Sequence, residues 1–353
     1  MTPRENLISC YRRQGCETAP VTFGLCPSLR AEFQRRYGEV KPEDHFGFSS
    51  RLVLFSHPTH RVVPDWQRWY AEPLRPGTRF SYWGIAHEPG SDAAMHMTRM
   101  RHPLIQVETV AELQAYPWPD FSRVDLPNLR AQVAAIHAQG CAAHGGMEMT
   151  IWEVSWYLRS MERMMQDMVD DDSKATWLFD RTTEIACQRA QAFALADCDV
   201  IGLGDDVGTQ RGLMMSPAMY RRWLKPRLAA VIQAARAVKP EILIQYHSCG
   251  QVTPLISDLI EAGIDVLNPV QPECMEFSEI FAKYGDRLSF NGTIGTQTTM
   301  PFASPDQVRD LVHRNLRLAG RRGGLVACPT HLLEPEVPWE NIEAYVEACR
   351  TAW

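Results

Sequence analysis

From about residue 140 onward, short apolar runs alternate with longer segments of helical period. Cys141–Met147, Asp199–Gly204, Ile242–Tyr246, Ile264–Pro269, Arg287–Asn291 and Leu325–Cys328 have strand length and are bounded by glycine, proline or polar residues. Between them, Thr150–Val169, Ser173–Ala196, a segment opened by Ser216-Pro217, Thr253–Ala262, Phe277–Tyr284 and Asp306–Leu318 predict helices, with a closing helix at Asn341–Ala348. Thr150 and Glu153 fit a capping box, and Ser216-Pro217 supplies an N-cap and first helical residue. Pro226 lacks a backbone donor and predicts a kink at Lys225-Pro226. Met161, Met164, Met165 and Met168 repeat at i, i+3, i+4, i+7, the spacing of a packed helix face.

The first third is less regular. Residues 1–19 read as a helical lead-in, Pro20–Leu25 as a strand, Leu29–Tyr37 as a helix and Arg51–Ser56 as a second strand. Residues 57–103 are rich in proline, glycine, tryptophan and histidine, with hairpin character at Arg79–Gly84, and read as an elaboration over one end of the main fold. About eight strands alternating with helices predict a (β/α)8 TIM barrel. A doubly wound sheet is the competitor, but no GxGxxG follows an early strand. The expected organisation is one domain over 1–353, with 1–105 as N-terminal lead-in, first strands and lid-like elaboration.

Composition narrows the function classes. The chain has 353 residues, 45% hydrophobic and 22% charged, as in an ordinary globular protein. A formal charge of −6 without any basic run argues against nucleic acid. No apolar stretch approaches ~18 residues, so no membrane span is expected, and the polar N-terminus lacks a signal-peptide core; the cytoplasm is the default. The ten cysteines are scattered with no CxxC pair, so most read as buried thiols and any metal role must combine cysteine with histidine.

Chemistry gathers at the ends of the apolar runs, where α/β folds keep their sites. His247 and Cys249 lie two apart, so on extended chain they share a face. Imidazole and thiolate make a soft half-site suited to zinc. The segment 323–335, GGLVACPTHLLEP, adds Cys328 and His331 at another strand end. A catalytic zinc wants three protein ligands and an open position, which His247, Cys249 and one of Cys328 or His331 supply. Adjacent carboxylates Asp205 and Asp206 are costly unless solvated or partnered, so they are catalytic or substrate-binding candidates as well as turn caps. Glu273 is a further catalytic candidate, and Glu148, Gln271 and Asn291 are candidate substrate contacts.

Three stretches carry a resemblance: GDDVGTQRGLMMSPAMYRRWLKPR (204–227), YHSCGQVTPLISDLIEAGIDVLNPVQPE (246–273) and ACPTHLLEPEVPWENI (327–342). In this order they resemble the uroporphyrinogen decarboxylase-like superfamily, which implies a TIM barrel with its site at the C-terminal mouth. True decarboxylases carry an arginine-rich MRQAGRY-like motif, where this chain has PVTFGLCPSLRAEFQRRYG. The other branch comprises cobalamin-linked methyltransferases, such as those methylating coenzyme M, which hold zinc with a His-x-Cys pair and a distant cysteine. His247-Ser248-Cys249 looks like that pair, while Pro329-Thr330-His331 stands where those enzymes have Pro-Gly-Cys. The resemblance therefore implies a zinc-dependent methyltransferase working with a corrinoid (methylcobalamin) on a separate partner protein and a small thiol or O-methyl substrate. The alternative is a metal-independent lyase for an aromatic or pyrrolic acid, with Asp205 or Asp206 stabilising a cationic intermediate.

Overall fold

The computed structural model describes residues 1–55, 60, 62–90, 98–147 and 149–352. Glu148, His57 and His96, singled out above or lying in the histidine-rich stretch, fall outside the described residues. Seven strands form one parallel sheet in chain order. They are β1 (Ser50–Val53), β2 (Ala142–Met147), β3 (Val200–Gly204), β4 (Leu243–His247), β5 (Val266–Asn268), β6 (Ser289–Asn291) and β7 (Leu325–Val326). The sheet curls, and helices cover its outer face. The fold is α/β and of TIM-barrel type.

Seven of the eight expected strands are present. Pro20–Leu25 is not a strand. It touches the wall through one bridge, Leu25 to Leu333, with Cys26 N donating to Leu333 O (3.0 Å) and Leu333 N to Gly24 O (2.9 Å). Further along, the Tyr345 hydroxyl takes both backbone groups of Thr22, and Pro20 has no N–H to give. A ladder with β1 therefore does not form, and β1 is the edge strand of its sheet. Its Leu52 and Leu54 side chains are 60% and 61% exposed.

The helix expected at Thr150–Val169 is two, Trp152–Arg159 and Met161–Val169, broken at Ser160, whose φ of 72° leaves the helical region. The capping box is also replaced. Thr150 Oγ1 donates to Met147 O (2.7 Å) and accepts from Gly204 N (3.0 Å), and the helix start is capped from another strand by Asp205. The break expected at Lys225-Pro226 falls one residue earlier, between the helices Pro217–Trp223 and Lys225–Arg236. Of the methionine stripe, Met164 and Met168 are buried in the core. Arg79–Phe80, Ala86–Pro89 and Thr98–Arg101 form a separate antiparallel sheet within the elaboration.

Candidate metal and active site

Register places the site. Parallel pairing sets His247 beside Gly204 on one side and Asn268 on the other, all at the C-terminal ends of β3, β4 and β5. The pairing of Leu267 with Phe290 puts Asn291 at the same level on β6. Because side chains alternate along a strand, residues at one level of neighbouring strands point the same way. His247, Asn268 and Asn291 therefore form one row.

Past β4 the chain turns sharply. Ser248 is buried, its N–H donating to Asn268 O (2.8 Å) and its Oγ accepting from Val207 N (3.0 Å). Gly250 has φ 82°, and a Cβ there would stand 2.6 Å from Thr209 O, so the turn needs glycine. Gln271 holds it from outside, accepting from Gly250 N (2.9 Å) and donating to Gln210 Oε1 (3.0 Å). Both its polar ends are thus engaged in shaping the turn.

This turn brings Cys249 back over His247. Cys249 Sγ lies 3.5 Å from His247 Nε2, and the same nitrogen lies 3.5 Å from Asp206 Oδ1. Asp206 Oδ1 also accepts from Cys249 N (2.7 Å). One nitrogen, one sulfur and one oxygen atom thus fall within 4.8 Å of one another, the set among the described residues able to hold a metal ion. Zinc bonds of about 2.0–2.3 Å at tetrahedral angles separate neighbouring ligand atoms by roughly 3.3–3.6 Å. The donor set fits zinc in chemistry, and both separations from His247 Nε2 match this spacing.

The third-ligand candidates named from sequence fall outside this compact set. Cys328 is buried, and its thiol donates to Asn291 Oδ1 (3.2 Å); burial, then Cys349, pushes its pKa up to about 12. His331 sits on the rim, between a cavity of about 940 Å3 that His247 lines and one of about 230 Å3 that Cys249 lines. Lost solvation around its ring, then His247, holds His331 below the ordinary imidazole value. Neither belongs to the compact set, whereas Asp206 does.

The two adjacent carboxylates divide. Asp205 is buried and accepts backbone N–H bonds from Thr150, Ile151 and Glu153 at the start of the helix Trp152–Arg159. It is a helix cap, although burial and then Glu153 push its pKa up to about 8. Asp206 points into the site. Glu153, taken from sequence only as part of a capping box, is drawn into the same cluster: burial, then Asp206, raises its pKa, and Tyr157 Oη donates to it (2.9 Å). Burial, then Asp206 and Glu153, likewise pushes the Cys249 thiol up to about 12. Glu273 stands apart, accepting from Gln297 N (3.2 Å) and Thr298 Oγ1 (3.1 Å), and so braces a neighbouring loop.

Asn268 and Tyr11 are the residues that sequence reading missed. Asn268 stands at a strand's C-terminal end, the signal used for its neighbours. Tyr11 arrives from the N-terminal helix Pro3–Tyr11 to meet Asn291 (2.7 Å), and nothing local announces that.

With the geometry in place, comparison with known proteins decides the family. The uroporphyrinogen decarboxylase (URO-D) family model matches residues 88–352. The chain belongs to this family. Uroporphyrinogen decarboxylases from two strains of Thermus thermophilus are each 28% identical over 178 residues, 49% of this chain and 48% of theirs. The chain thus matches about half the length of these curated relatives. A methyltransferase from Methanosarcina mazei superposes with a TM-score of 0.65 at 20% identity, covering 99% of this chain and 98% of that one. That likeness is one of fold, and it extends the shared architecture through the N-terminal third. No described helix is long and apolar enough to cross a membrane.

Proposed function

We propose that this URO-D family member is a zinc-dependent methyltransferase, moving a methyl group between a corrinoid on a separate protein and a small thiol or O-methyl substrate. One observation carries the reading: Asp206, His247 and Cys249 bring oxygen, nitrogen and sulfur within 4.8 Å of one another, with the oxygen and the sulfur each 3.5 Å from the nitrogen. When bound, zinc would supply Lewis acidity, lowering the pKa of a substrate thiol or activating a leaving oxygen.

The chain's own groups do the rest. His247, Cys249 and Asp206 hold the ion, and Cys249, protonated while metal-free, gives up its proton on loading. His331 and Cys328 remain candidate ligands, His331 being the one at the rim. Asn291 and His144 line the 940 Å3 cavity, which is sized for a small organic substrate. The corrinoid would supply or take up the methyl group, and in the thiol direction the proton leaving the substrate thiol would pass to Glu153, the site carboxylate outside the ligand set.

The alternative, metal-independent decarboxylation, draws support from the names of the Thermus relatives. In that reading Asp206 is the acid group available, because Asp205 is committed to its helix. Metal analysis of protein purified without a histidine tag separates the two. About one zinc per chain, lost in His247→Ala and Cys249→Ser, is expected; wild-type protein that stays metal-free when zinc is supplied overturns methyl transfer by this route.

A further inference from the structure

The row His247, Asn268, Asn291 continues to Tyr11, and its hydrogen bonds have only one consistent polarity. A backbone carbonyl accepts and never donates, so the Asn268 atom 2.9 Å from Asn291 O is the amide nitrogen. Its amide oxygen therefore faces His247 Nδ1, at 2.6 Å. Nδ1 must then carry the proton, and in the neutral ring Nε2 is a bare lone pair. That lone pair faces Cys249 Sγ and Asp206 Oδ1, each 3.5 Å away.

The same logic runs outward. Asn268 Nδ2 also donates to Asn291 Oδ1 (2.7 Å), so Asn291 Nδ2 is the atom that meets Tyr11 Oη (2.7 Å). Burial keeps Tyr11 protonated, and its hydroxyl proton goes to Gln245 Oε1 (3.3 Å). The Cys328 thiol supplies a second donor to Asn291 Oδ1. Both asparagine amides are fixed in orientation by a partner on each side.

We infer that Asn268, held by Asn291 and Tyr11, is the positioning residue that locks His247 in its Nδ1–H form and aims Nε2 at the metal position. This rests on the metal reading above, but its central claim can be checked without metal. Outer partners of a metal-binding histidine set its tautomer and basicity, and their loss typically weakens metal binding about 10–100-fold. The relay assigns Asn291 to holding the site, one layer behind the groups that hold the ion.

The test has two arms. In metal-free wild-type protein, nitrogen-15 NMR of the His247 ring is expected to show protonated Nδ1 and unprotonated Nε2; the opposite tautomer, or a mixture, overturns the inference. In Asn268→Leu the ring is expected to populate both tautomers, with zinc affinity, read by competition against a chromophoric chelator, down about 10–100-fold. Unchanged tautomer and affinity in a folded variant overturn it too. Should Asn268→Leu fail to fold, Tyr11→Phe gives the milder form of the same result, a smaller loss of affinity with the ring still mainly Nδ1–H. Wild-type protein showing the expected tautomer but no zinc binding would defeat the metal reading while leaving the positioning role of Asn268 standing.

Discussion

The two ends of strand β3 carry aspartates treated in opposite ways. At the N-terminal end, Asp199 receives the Arg4 guanidinium through two atoms, His137 Nε2 (2.9 Å) and Ala143 N (2.9 Å). Burial opposes its ionisation, but these partners hold its pKa below the ordinary carboxylate value. Asp265, at the same end of β5, similarly takes Arg236 (2.8 Å) and Ile244 N (2.8 Å). At the C-terminal end, Asp205, Asp206 and Glu153 crowd together, and among the described residues no lysine or arginine is paired with them. One end uses charge to fasten the N-terminal helix to the barrel. The other crowds acidic groups together without a lysine or arginine partner among the described residues, an arrangement that costs stability and suits a cation.

The sharpest way to break this contrast is to neutralise each end in turn. Asp199→Asn should cost about 2 kcal/mol by urea denaturation, short of the ~3–5 kcal/mol of a fully buried pair because solvent screens the part-exposed Arg4. An unaltered midpoint would show that the fastening is cosmetic. Asp206→Asn should do the reverse in metal-free protein, adding about 0.5–1 kcal/mol by relieving Glu153, while zinc affinity falls. A destabilised metal-free variant would mean that the site's charges are better compensated than their partners imply.

The pH dependence of the Asp199 contribution sharpens the contrast further. A depressed native pKa adds stability that is present above the unfolded value near 4 and is lost as pH falls through the lower native value. The difference between wild type and Asp199→Asn should therefore be constant from about pH 5 to 7 and shrink below about pH 4. The smallest effect on zinc binding is expected at Gln271→Ala. Losing its bond to Gly250 N should cost about 1 kcal/mol and weaken zinc binding only slightly, since Gly250 itself fixes the turn.

The strand and helix alternation after residue 140 was legible because buried parallel strands are short apolar runs closed by turn residues, and His247-Ser248-Cys249 lay at the end of one. What sequence could not show was competition from distant groups. Pro20–Leu25 has strand-like residues, but Tyr345 takes Thr22's backbone. Thr150 and Glu153 have capping-box spacing, but Asp205, about fifty residues on, caps that helix. The compact third donor, Asp206, was visible only as half of an acidic pair. Spacing cannot tell which carboxylate turns inward; that follows from the N–H groups that claim Asp205.

The unpaired edge of β1 alters how traffic through such a molecule must run. A closed barrel offers one doorway, so two reactants of unequal size would queue for it. Here the larger cavity reaches from His247 and Asn291 past Leu52 and Leu54 to Arg30, Lys41 and Gln132 on the flank, while Cys249 faces a second recess. Under the proposed methyl transfer, a small reactant would have a side route distinct from the mouth at which a bulky carrier would dock.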